Sequence, residues 1–151
     1  MKFRLGPCLL LSIMAIALET RGQDAKTELD KLQGKWSVTA MERGEKSAPK
    51  DIIDNIVITF AGDKMTLGRT QAGAKSREYA IKLDPTKNPK AIDLIPADGA
   101  SKGKTVAGIY RFDGNDLKIC MPNTDSQERP KEFKSVKDTD LIVMSLTPMK
   151  K

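Results

Sequence analysis

The run from Lys31 to Lys46, KLQGKWSVTAMERGEK, holds the single tryptophan of a 151-residue chain, Trp36. Just upstream, DAKTELDKLQ has helical spacing: Leu29 and Leu32 fall on one side, and Asp24 or Thr27 is placed to cap. Gly34 ends that run. From Trp36 onward the pattern changes to alternation, with Trp36, Val38 and Ala40 on one face and Ser37 and Thr39 on the other. A helix that gives way to a strand across one glycine, with the largest apolar residue at the strand's head, decides how the remainder is read.

The period of two then persists to the C-terminus. In NIVITF, Ile56, Ile58 and Phe60 share a face; AGDK turns the chain into MTL, making a hairpin from Ile56 to Leu67. SREYAIKLD places Tyr79, Ile81 and Leu83 together, and AIDLI is a short strand between Pro89 and Pro96. TVAGIYRF aligns Val106, Gly108, Tyr110 and Phe112, and DGND returns the chain into LKICM, with Leu117, Ile119 and Met121 in register. KEFKSV reads as a further strand, and DLIVMSL closes the chain. Every proline beyond Pro7 lies outside a strand centre, as ladder hydrogen bonding requires. Strands with one apolar and one polar face, joined by short loops, imply an all-β fold: a small antiparallel up-and-down β-barrel of about eight strands preceded by a short helix.

The N-terminus reads separately. Lys2 and Arg4 precede the apolar run LGPCLLLSIMAIAL, and polar ETRGQDA follows with Thr20 and Gly22 as small residues. That is the pattern of a secretory signal peptide over residues 1–22, and about 14 apolar residues fall short of the roughly 20 needed to span a bilayer. The expectation is one exported domain over residues 23–151, periplasmic or extracellular, with no stable membrane span. Removing Lys2, Arg4, Arg21 and Glu19 lowers the net charge from +6 to +4. The basic residues are interspersed with acidic ones and lack interleaved aromatics, which argues against nucleic-acid binding. Cys120 becomes the only cysteine, so no intramolecular disulfide staples the domain; in DLKICM it reads as a small hydrophobe rather than a reactive thiol.

The stretch LQGKW, with Gly34 and Trp36 after a short helix, resembles the Gly-x-Trp signature of lipocalin-like barrels. That resemblance implies that Trp36 plugs one end of the barrel while Gly34 lets the chain turn tightly into the strand. Together with ITFAGDKMTL, KLDPTKNPKAIDLIPADGASKGKTVAGIYRFDGNDLKICM and ERPKEFKS, it is similar to a lipocalin-like exported family of unknown function, abundant in planctomycete bacteria. The likeness runs from about Leu29 to the C-terminus. It brings no catalytic or ligand residues with it. In many lipocalins an Arg near the last strand packs over the Trp. DLIVMSLT has no Arg, which leaves Arg111 or Arg129 as candidates for that end-cap.

The chain contains no histidine, which removes His-based triads, the common zinc sites and His-ligated haem. Asp113, Asn115 and Asp116 cluster in DGND, but a hairpin turn uses the same residues and the spacing is not that of a calcium loop. The expectation is a non-enzymatic protein with no cofactor and no metal site. An eight-stranded barrel has room for one small apolar ligand. Its candidate lining is Val38, Ile58, Phe60, Tyr79, Ile81, Tyr110, Phe112, Leu117 and Ile119. The alternative is a filled core, with binding of a protein partner carried by the loops around 96–105 and 122–134.

Overall fold

A computed structural model describes residues 16–125 and 128–150. Helix α1 (Ile16–Leu32) precedes nine strands: β1 (Gly34–Arg43), β2 (Lys46–Ser47), β3 (Ile56–Ala61), β4 (Lys64–Arg69), β5 (Arg77–Asp84), β6 (Ala91–Pro96), β7 (Val106–Asp113), β8 (Asp116–Pro122) and β9 (Leu141–Pro148). A one-turn helix α2 (Lys50–Ile53) stands between β2 and β3. Each strand from β3 to β9 pairs antiparallel with its sequence neighbour, β1 pairs with β3, and β1 also pairs with β9. The sheet therefore closes as an eight-stranded up-and-down barrel, with the two-residue β2 folded back on the end of β1. Closure removes the unpaired edges that an open sheet of this size would present.

Trp36 stands where the barrel closes, opposite Ile58 in β3 on one side and Pro148 in β9 on the other. Gly34, two residues earlier, has φ +117°, a region that favours glycine. Gln33 holds the neighbouring β3–β4 turn from both directions: its amide nitrogen donates to the Gly62 carbonyl and its amide oxygen accepts from the Gly62 N–H. The β7–β8 hairpin turns through Gly114 at positive φ, as the DGND reading required.

Three details of the sequence reading are corrected. Helix α1 extends back to Ile16, so Asp24 and Thr27 lie inside it and cap nothing; the Thr27 hydroxyl donates to the Gln23 carbonyl one turn back. The expected cleavage point after Gly22 falls within this helix, and residues 1–15 of the expected signal peptide lie outside the described residues. A register shift between Val38 and Ala40 reverses the phase of β1, leaving Ala40 exposed and turning Met41 toward the core. KEFKSV forms no strand: it belongs to a strap, described over 123–125 and 128–140, that crosses the outside of the barrel between β8 and β9.

The strap creates a second, smaller core. Ile109, Cys120 and Val143 face outward from β7, β8 and β9, and Phe133 of the strap covers them. Burial pushes the Cys120 thiol up to about 11, consistent with a packing role. The main core is the cluster of inward-facing side chains inside the barrel. Gly108 permits its tightest approach, since a Cβ there would lie 3.0 Å from the Cys120 carbonyl oxygen and 3.2 Å from Ile92.

Trp36 is 3% exposed and its indole N–H donates to the Leu32 carbonyl at 2.7 Å. Trp36→Ala should lower stability by roughly 3–5 kcal/mol through the cavity it leaves. Trp36→Phe, which keeps most of the volume and loses the hydrogen bond, should cost about 1 kcal/mol. Urea unfolding midpoints give the comparison, and an unchanged midpoint for the alanine variant would remove the plug role.

Candidate functional site

The strand order sorts the connections between two ends. At the α1 end lie the turns 62–63, 85–90 and 114–115; at the far end lie β2 with α2, the longer loops 70–76 and 97–105, and the strap that joins β8 to β9. The α1 end is sealed. Leu32 is fully buried beneath Trp36, and Leu29 packs against the same cluster.

Glu28 enters from that face of the helix, one residue before Leu29 and four before Leu32. It is the one charged side chain buried among the described residues, at 7% exposure. Its carboxylate accepts from Lys31 at 3.0 Å, from Lys90 at 2.9 Å and from the Tyr110 hydroxyl at 3.2 Å. Burial alone would raise the Glu28 pKa; the two ammonium partners outweigh that and hold it below the ordinary carboxylate value. Burial and the adjacent carboxylate push the Tyr110 phenol well above its usual range, so it stays a neutral donor. The sequence reading missed this cluster, although Glu28 and Leu32 are four apart on a helix and must share a face.

Of the nine candidate lining residues, Val38, Ile58, Phe60, Ile81, Tyr110, Leu117 and Ile119 are buried in one continuous cluster, and Tyr79 and Phe112 pack against it half-buried. Tyr110 and Phe112 meet edge to face with centroids 6.2 Å apart. All buried side-chain polar atoms among the described residues have a hydrogen-bond partner. Asp113 accepts from Arg111, and Asp116 accepts from Thr147, so the DGND carboxylates serve the hairpin and its neighbours.

Neither arginine proposed as an end-cap reaches Trp36. Arg111 stacks its guanidinium on Phe133 at 4.8 Å, outside the barrel. Arg129 donates to the Gly108 carbonyl at 2.6 Å, to the Ile92 carbonyl at 3.3 Å and to the Asp93 carboxylate at 2.6 Å, pinning the strap to β6 and β7. Helix α1 takes the capping role instead. Further along the strap, the Ser135 hydroxyl accepts from the Glu45 N–H, and Arg43 pairs with Asp140 at 2.7 Å. Asp125 binds both Ser101 and Lys104, which ties the strap's start to the 97–105 loop. The two loops singled out from sequence are thus joined at the far end.

Two grooves accompany the strap. One of about 470 Å³ is bordered by Arg129, Pro130, Lys131, Lys134, Val136 and Leu141. A second, of about 190 Å³, lies between Lys82, Lys87, Asp93 and Arg129. Both are on the outside of the barrel. Val136 is 42% exposed at the larger one, where charged neighbours of both signs surround it.

The geometry defines a class: a closed antiparallel barrel whose inward side chains form one continuous cluster, one end stoppered by a helix and an external strap carrying the larger groove. Among the described residues no helix is long and apolar enough to cross a membrane. Comparisons with protein-family models, with curated proteins and with solved structures give no match.

Glu28→Gln should lower stability at neutral pH by about 1–2 kcal/mol, since a neutral amide holds two ammonium donors less well. Because the folded carboxyl titrates below its unfolded value, this contribution is complete above the ordinary carboxylate range and is lost as pH falls through the lowered value. The gap in urea midpoint between wild type and variant should therefore close toward acid pH. A gap that stays constant would assign the loss to packing instead of charge.

Proposed function

We propose that this chain is an exported, non-enzymatic, lipocalin-like interaction module whose barrel is a solid scaffold and whose binding surface is the strap and the loop tied to it. The observation that carries this reading is the contrast between interior and exterior. The residues expected to line a ligand cavity pack on one another, whereas the strap borders a groove of about 470 Å³ beside an exposed valine. Rigidly pinned loops on a β-scaffold are common binding surfaces, because the scaffold has already met the cost of ordering them. Arg129, Ser135 and Asp125 supply the pins. The mixed charge around Val136 suits a polypeptide partner with an apolar anchor and a polar rim.

The test is native mass spectrometry of the protein purified gently from its own host, repeated after soaking in lipid and metabolite mixtures. A bare mass is expected in both cases. A reproducible small-molecule adduct lost on denaturation would overturn the solid-scaffold reading and make the barrel a carrier of a small apolar ligand. A photo-crosslinking residue at Val136 should trap a defined host protein, while the same residue at Lys35, near the α1 end, should not; equal labelling at both positions would remove the strap as the binding surface.

A further inference from the structure

The positive charge of this protein is concentrated in one hairpin. Between Lys64 and Arg77 the chain carries Lys64, Arg69, Lys75 and Arg77 and no acidic residue, which accounts for the whole +4 of residues 23–151. Among the described residues none of the four takes part in an ion pair, and all four are exposed. This contrasts with Arg43, Lys50, Lys104, Arg111 and Arg129, each of which is paired with a carboxylate.

Strand register groups three of them. Arg69 lies opposite Ile56, and Arg77 lies opposite Leu67. Directly opposed residues share a face of the sheet, and Ile56 and Leu67 both belong to the barrel interior. Arg69 and Arg77 thus continue the inward-facing rows one step past the core, onto the far rim, with Lys75 in the loop between them. Lys64 sits at the other end of β4 and takes no part. The same loop is anchored to the segment after α2, where Thr70 bonds Asn55 through both its N–H and its hydroxyl. Asn55 in turn donates to the Ile52 carbonyl, and Ile52 is 45% exposed. Of the nearby acids, Asp54 is occupied by Lys50, Glu78 lies on the opposite face of β5 from Arg77, and Asp51 and Asp98 stand on adjoining segments.

We infer that this rim is a docking surface for an anionic bilayer, with Arg69, Lys75 and Arg77 against the headgroups and Ile52 at the interface. The partner's shape follows from what the rim lacks and what the barrel denies. Neither groove described above is lined by these residues, and three exposed cations spread over two strand ends and the loop between them suit an extended anionic surface. Closure of the eight long strands leaves no sheet edge on which an extended acidic peptide could add itself. Unpaired cations beside one exposed aliphatic side chain match an anionic headgroup layer, where each Lys or Arg contributes roughly fivefold to partitioning. This inference stands apart from the strap reading, since it uses none of the strap's residues.

The experiment is sedimentation of the full chain with vesicles of pure phosphatidylcholine and with vesicles containing 30% phosphatidylglycerol, at low salt and at 1 M salt. Wild type should bind the anionic vesicles and release at 1 M salt, where screening reaches about 3 Å. The triple variant Arg69→Gln/Lys75→Gln/Arg77→Gln should lose roughly 100-fold in that binding. A control, Lys131→Gln/Lys134→Gln/Lys137→Gln on the strap, removes the same charge and should bind nearly as wild type. Any attachment through the apolar N-terminal run would appear in neutral vesicles and in all three proteins alike, so it subtracts out. Equal loss in both variants, or no loss in the rim variant, would overturn the inference. So would binding of soluble polyglutamate without binding of anionic vesicles, which would assign the rim to an acidic protein.

Discussion

The hydrogen bond from the Trp36 indole to the Leu32 carbonyl joins the two parts of this molecule that the chain could otherwise leave separate. The last carbonyls of a helix have no intrahelical partner, and here one of them is met by the side chain that fills the barrel's end. Because Leu32, Gly34 and Trp36 are so close in sequence, the bond fixes the angle at which α1 meets β1. Gly34 supplies the backbone conformation that this angle requires. Trp36 also sits in two ladders at once, beside Ile58 and beside Pro148. A single residue therefore positions the stopper, begins the β1–β3 register and completes the β9–β1 seam.

Closure has a consequence for β1 itself. A strand that must pair with β3 near its start and with β9 along most of its length is bent as it goes round, and the irregularity between Val38 and Ala40 is where it bends. The bulge keeps both halves of β1 useful: Trp36 and Val38 face the core before it, and Met41 after it. Simple alternation read Ala40 as the third inward residue because a one-residue insertion leaves no mark in a pattern of single apolar positions. Its physical cause is the barrel's curvature, a property of the whole sheet that no window of β1 contains.

The same distinction separates what was legible from what was not. The inward rows of β3, β5, β7 and β8 follow from local period two, and the chain order of the hairpins follows from Gly and Asp between them, so the barrel could be read directly. The outer core could not. Ile109, Cys120 and Val143 interrupt the polar face of three neighbouring strands, and each looks like an isolated exception within its own strand. Only their adjacency in the closed sheet makes them a patch, and only the strap explains why the patch is dry. KEFKSV, which the sequence reading takes as a further strand, is another such case. In the structure Phe133 covers that patch and Ser135 is tied to the β1–β2 turn, contacts made by a segment with no ladder of its own.

Tyr110 shows why the interior argues for a scaffold. A buried phenol needs a hydrogen-bond partner, and a tyrosine inside a barrel is the natural group to orient a bound ligand. In this chain Tyr110 already spends its proton on Glu28, and Glu28 is itself held by Lys31 and Lys90. A ligand entering from the α1 end would have to displace a helix, break a charge-assisted cluster and leave a carboxylate buried without its donors. That last penalty alone runs to several kcal/mol. The polar group that could have served recognition inside the barrel serves closure instead. The longest loops, the larger groove and the unpaired rim cations all lie away from the stopper, where a partner reaches them without disturbing the core.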